Sequence, residues 1–211
     1  MSEQQSGKQK LSFFYGAARI IATILFKTVM PVRYFNAERL AGDAPFIVIS
    51  NHQHWMDPII LALPIRRYQV TFLAKKELVK HPIANYVLRD MHVIPVDRHN
   101  TDMAAMRACV KAVRDGQILG IFPEGTRHHK GVMEEIESGV AMIALRSGVP
   151  LMPVYVTRKL KFFRRSDVHV GEPIPLDDLK EQGVNKDTCQ ALLERITATY
   201  AVMQEQAKSN P

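Results

Sequence analysis

The chain has 211 residues, with 28 Lys and Arg against 21 Asp and Glu for a formal charge of +7, and 46% of it is hydrophobic. That much apolar material excludes disorder as the main state and fits about one domain. The basic balance favours an anionic partner, whether a phosphate substrate, a lipid surface, an acidic carrier protein or nucleic acid.

The first nine residues are polar and predict a frayed lead. From Leu11 to Met30 the apolar residues Phe13, Phe14, Ala17, Ile20, Ile21, Ile24 and Leu25 recur at helical spacing, and Pro31 stops the pattern. Arg19 and Lys27 interrupt it, so no run of roughly 18 uncharged apolar residues exists to span a bilayer. Arg19 also breaks the apolar centre that a secretory leader needs, and export is not expected. Two readings of this helix stand side by side. It packs on its own domain, or it lies in a bilayer surface with Arg19 and Lys27 reaching the headgroups.

Beyond it, apolar runs at 46–50, 70–73, 93–96, 118–122, 151–156 and 168–170 predict strands. Helical patterns at 57–63, 83–89, 101–115, 138–147 and 186–206 alternate with them, with Thr101 as an N-cap and Gly116 as a stop. Such alternation predicts an α/β domain whose sheet is covered by helices on both faces. The division is an N-terminal amphipathic segment, 1–33, and a single domain, 34–211. Cys109 and Cys189 form no pairing or metal-ligand pattern, which argues against a disulfide scaffold and for a reducing compartment.

Chemistry concentrates where strands end. Asn51-His52-Gln53-His54-Trp55-Met56-Asp57 follows the run at 46–49, and Asp57-Pro58 opens a helix. A carboxylate five residues after His52 can fix its tautomer, leaving the other ring nitrogen to take a proton from a hydroxyl or thiol. A surface His beside a capping Asp is the plainer alternative. His52, His54, Asp57, His128 and His129 carry possible metal-ligand atoms, but no ligand spacing supports a site and none is expected. At a second strand end, Phe122-Pro123-Glu124-Gly125-Thr126-Arg127 offers a flexible backbone, a hydroxyl and a guanidinium to an anion. Asp97-Arg98 closes a third strand, as a sheet-edge cap or a further anion contact. The segment Gly148-Val149-Pro150-Leu151-Met152-Pro153-Val154 sets strand shape.

Taken in order, the segments Asn51-His52 to Asp57, 94–98, Phe122 to Arg127 and 149–154 resemble the glycerolipid acyltransferase family, in particular its 1-acylglycerol-3-phosphate acyltransferases. The likeness spans roughly residues 36 to 175. It implies that His52 is a general base oriented by Asp57. The acceptor's free hydroxyl would then attack the thioester of acyl-CoA or acyl-acyl carrier protein. The resemblance also implies that Arg98, Glu124, Gly125, Thr126 and Arg127 hold the acceptor's glycerol phosphate, with no cofactor and no acyl-enzyme on either cysteine. His54 stands where the family often has Ser, His92 where it has Gly, and His128-His129-Lys130 where Ser or Thr is commoner. These departures bear on acceptor identity more than on reaction type.

One further segment is charged and aromatic: Arg158-Lys159-Leu160-Lys161-Phe162-Phe163-Arg164-Arg165. It suits either a nucleic acid or an anionic bilayer. With no nucleic-acid motif in the chain and a lipid acceptor implied, membrane contact through these residues, Arg19 and Lys27 is the expectation. That places the protein at the cytoplasmic face of the cell membrane, peripheral or monotopic. An acidic carrier protein would suit the same charges.

Overall fold

Short, almost wholly apolar runs build the centre of a seven-stranded sheet. The computed structural model describes residues 13–42, 45–80, 91–97, 102–125 and 132–209. Its strands are β1 (Val32–Phe35), β2 (Ile47–Ser50), β3 (Val70–Lys75), β4 (Ile94–Val96), β5 (Ile118–Ile121), β6 (Leu151–Val156) and β7 (Ser166–Val170). Their order across the sheet is β1-β7-β6-β2-β5-β3-β4. From β6 to β4 all neighbours are parallel, whereas β7 runs antiparallel to β6 and β1 runs with β7. The central strands β2, β5 and β6 are buried throughout, as strands covered on both faces must be.

The helices are α1 (Phe13–Thr28), α2 (Asp57–Ala62), α3 (Met103–Arg114), α4 (Gly139–Ser147), α5 (Asp177–Glu181) and α6 (Lys186–Ser209). Side chains alternate across each strand. Ile47 and Ile49 therefore meet Cys109, Val113, Val140, Leu192 and Tyr200 from α3, α4 and α6. Val48 lies on the other face with Ala22, Phe26, Ile60 and Leu61 from α1 and α2. Helices on both faces match the sequence expectation.

Element edges follow local chemistry. Asp102 caps α3, accepting the Ala105 N–H at 2.9 Å, and its other oxygen takes the Asp97 N–H at 3.0 Å, joining the helix to the end of β4. Gly116, with φ of +84°, ends the helix as expected. Absent from the sequence reading are β1, a half-buried edge strand directly after Pro31, α5, only five residues long, and the short 3-10 helices Ala37–Ala41 and Lys76–Lys80. The expected frayed lead, the helix at 83–89 and the Thr101 cap lie outside the described residues.

The N-terminal helix forms, but its buried face is not the stripe that stands out in the sequence. Tyr15, Ala22 and Phe26 pack inward, while Ile20, Ile21 and Ile24 point to solvent, Ile21 with 68% of its surface exposed. Arg19 also turns inward. Its guanidinium donates to the carbonyls of Leu63, Ile65 and Arg66 at 3.2–3.3 Å, covering acceptors past the end of α2. The expectation that Arg19 reaches lipid headgroups is therefore replaced by a docking role for it.

Candidate active site

All five parallel strands deliver their C-terminal ends to one edge of the sheet, where ligands of open α/β folds bind. At that edge β2 stops pairing with β6 at Ser50–Val154, and the side chain of Asn51 continues the ladder. Its Nδ2 donates to Val156 O at 2.9 Å, and its Oδ1 accepts the Val156 N–H at 2.8 Å. This fully buried amide fixes the backbone one residue before His52.

His52 Nδ1 lies 2.9 Å from Asp57 Oδ2. The same oxygen accepts the backbone N–H groups of Gln53 at 2.6 Å and His54 at 2.7 Å. Asp57 is fully buried, so these three donors replace the water it has lost. Its Oδ1 is buried without a partner among the described residues. A carboxylate facing Nδ1 favours, in the neutral ring, the tautomer with the proton on Nδ1 and the lone pair on Nε2. His54 contributes to the turn, since its Nδ1 accepts the Met56 N–H at 3.3 Å.

An aromatic stack sets the plane of the imidazole. The His52 ring lies 4.1 Å from that of Phe122, which is itself backed by Phe72 at 6.2 Å. Phe72 can occupy its place because its partner on β5 is Gly120. A Cβ there would stand 2.2 Å from the Phe72 ring. The sequence reading missed Asn51, Phe72, Gly120 and Phe122 as determinants of this site. The glycine inside an otherwise apolar strand was the available signal.

At the end of β5, Gly125 adopts φ of +67° and gives its N–H to Phe122 O at 3.0 Å. Its own N–H is thus spent on closing the turn. Glu124, only 6% exposed, faces inward. Its Oε2 accepts the His52 N–H at 2.8 Å and its Oε1 the Met133 N–H at 3.0 Å. These two backbone contacts are what the structure shows for the Glu124 carboxylate. Arg98, Thr126 and Arg127 lie outside the described residues, as do His128 and His129. Cys109 lies on the core face of α3, where burial pushes its thiol up to about 12 and removes it as a nucleophile at neutral pH.

The basic segment forms the tip between β6 and β7. Arg158, Lys159, Lys161, Phe162, Phe163, Arg164 and Arg165 are exposed there, as is Lys27 near the end of α1. The Phe163 N–H donates to Val29 O at 2.7 Å, tying the tip to the segment that follows α1.

The chain resembles known proteins in sequence and in fold. The chain is 35% identical over 122 residues to the 1-acyl-sn-glycerol-3-phosphate acyltransferase of Bacillus subtilis, a match covering 58% of this chain and 60% of that one. It is 27% identical over 203 residues to the protein of the same name from Streptococcus pneumoniae, covering 92% and 75%. Its fold is shared with the crystal structure of the 1-acyl-sn-glycerophosphate (LPA) acyltransferase PlsC from Thermotoga maritima. That match has a TM-score of 0.63 at 23% identity, over 89% of this chain and 76% of the other. A family model described as Acyltransferase matches residues 31–157, from the start of β1 through β6 and including both strand ends described above. On that match the chain belongs to the acyltransferase family.

Proposed function

We propose that this chain transfers a fatty acyl group from a thioester, acyl-CoA or acyl-acyl carrier protein, to the free sn-2 hydroxyl of 1-acylglycerol-3-phosphate, giving phosphatidic acid. The observation that carries this reading is the His52–Asp57 pair at the end of β2, with Nε2 facing away from the carboxylate. Nε2 takes the hydroxyl proton as the oxygen attacks the thioester carbonyl. The tetrahedral intermediate collapses, the C–S bond breaks, and the leaving thiolate takes the proton back from the imidazolium. Asp57 keeps the ring in its tautomer and stabilises the transient cation. Arg98, Thr126 and Arg127 are assigned to the acceptor phosphate, where a guanidinium fork suits its oxygens. The protein's own groups supply the proton transfer, and no cofactor enters the scheme.

The test is free-thiol release from palmitoyl-CoA, and separately from palmitoyl-acyl carrier protein, with 1-acylglycerol-3-phosphate in vesicles. Release that depends on the acceptor supports the assignment, and the better thioester names the donor. Turnover only with glycerol-3-phosphate or another lysophospholipid moves the acceptor. Lipid binding with no release from either donor makes the chain a lipid-binding protein instead.

We further place the enzyme at the cytoplasmic face of the membrane, held peripherally or monotopically. No helix among the described residues is long and apolar enough to cross a bilayer. Outward-facing Ile20, Ile21 and Ile24 and the tip residues Phe162 and Phe163 are apolar anchors, with Phe163 82% exposed. Six cations, Lys27, Arg158, Lys159, Lys161, Arg164 and Arg165, accompany them, each contributing roughly 1 kcal/mol near an anionic surface. Phe162→Ser with Phe163→Ser is expected to weaken binding to phosphatidylglycerol vesicles by at least about tenfold, from the apolar area withdrawn from lipid. Co-sedimentation measures it, and unchanged binding removes the tip from the membrane contact.

A further inference from the structure

We propose that Glu124 is a positioning residue for the base, holding His52 through its backbone rather than touching the acceptor. The inference rests on the acyl-transfer reading above for its kinetic consequence and on hydrogen-bond geometry for its structural one.

The pairing of β2 with β5 ends at Ile49–Ile121, and its pairing with β6 ends at Ser50–Val154. Residues 51 and 52 therefore leave the sheet with no ladder on either side. On the β6 side the Asn51 amide replaces it, bonding both polar groups of the Val156 backbone. On the β5 side Glu124 does the equivalent, its Oε2 taking the His52 N–H at 2.8 Å. Its Oε1 takes the Met133 N–H at 3.0 Å, so the carboxylate bridges the base to the chain returning toward α4. Met133 has φ of +56°, and that backbone conformation needs an external hold to persist.

The chemistry points the same way. Glu124 is 6% exposed, with both oxygens accepting backbone N–H groups. A carboxylate is also the wrong charge to receive a phosphate, since like charges at contact distance repel. Its hold on the amide of His52 complements that of Asp57 on the ring: one fixes where the base stands, the other how it is turned. A Gln at this place keeps the shape but has one oxygen for two donors, and its NH2 opposes the remaining N–H.

Steady-state kinetics of the full chain on anionic vesicles separate the two roles, with wild type, Glu124→Gln, Glu124→Ala and Arg127→Ala compared. Glu124→Gln is expected to lower kcat by about tenfold or more, because small displacements of a reacting group carry losses up to about 10²-fold. Its KM for 1-acylglycerol-3-phosphate should stay within about twofold of wild type, whereas Arg127→Ala raises KM. A Glu124→Gln enzyme with raised KM and preserved kcat overturns the proposal and makes Glu124 an acceptor contact. Hydrogen exchange at the His52 amide reads the same hold without turnover. It should quicken at least about tenfold in Glu124→Gln relative to wild type. If wild type releases no thiol, the acyl-transfer reading fails. Exchange then decides alone for Glu124, and an unchanged rate overturns its positioning role.

Discussion

His52→Ala is expected to lower acceptor-dependent thiol release by about 10²–10⁴, the range that a positioned general base supplies. The loss should appear in kcat, because the imidazole acts on the hydroxyl proton only as the oxygen attacks. Affinity for the acceptor should be retained, since the residues assigned to the phosphate, Arg98, Thr126 and Arg127, are unaltered. The fold should survive as well. With the ring gone, Asp57 still accepts the N–H groups of Gln53 and His54, and Glu124 still receives the amide of residue 52. What disappears is one hydrogen bond and the stack on Phe122, together a loss of about 2 kcal/mol in folding stability. Thiol release together with a thermal melt checks both halves. A variant that keeps its rate removes His52 from the reaction, and one that loses its fold leaves the rate uninformative, so the melt is read first.

The sequence carries this site unevenly, for a physical reason. The apolar run at β2, the capped α3 and the His-x4-Asp spacing are local patterns, and local patterns report on backbone geometry a few residues away. The contacts that define the site are long-range. Asn51 finds Val156, Glu124 finds His52, and the hydroxyl of Tyr200 on α6 reaches Ile49 O at 2.8 Å, beneath the same strand end. None of these has a spacing signature, because the fold alone brings the partners together. Glu124 shows the consequence: the motif containing it was legible, but not which way its carboxylate faces. The same limit explains α1. Periodicity reveals an apolar stripe at Ile20, Ile21 and Ile24, yet the domain buries the Tyr15–Ala22–Phe26 side and leaves that stripe outside. Two competing faces on one helix are distinguished only by what each meets, which here is α2 and the sheet. β1 was missed for a related reason. Its four half-buried residues pair with β7, where Arg33 meets Asp167 in a two-point contact at 3.1 Å, and an edge strand held this way needs no apolar run.

Asp57→Asn should reduce turnover about as strongly as loss of the base, by roughly 10²–10⁴, because a neutral amide neither enforces the Nδ1–H tautomer nor stabilises the imidazolium. It differs from His52→Ala in stability. The native Oδ2 gathers three donors inside a fully buried site. An Asn side chain can keep its oxygen there only by turning its NH2 toward the place of Oδ1, a buried position that no described group bonds in the native protein. The alternative orientation sets two amide hydrogens against the N–H groups of Gln53 and His54. The first arrangement brings a new donor into the buried site and the second breaks two bonds, at a cost of about 1–3 kcal/mol for each buried group left unpaired. The turn from β2 into α2 should therefore loosen, and the melting temperature should fall by clearly more than in His52→Ala. Melting curves for the two variants, collected beside their rates, give the decisive comparison. Equal losses of rate with unequal losses of stability identify Asp57 as both partner of the base and keystone of the turn. An Asn variant as stable as wild type would show that its three hydrogen bonds are replaceable and confine Asp57 to the electrostatics of the imidazolium.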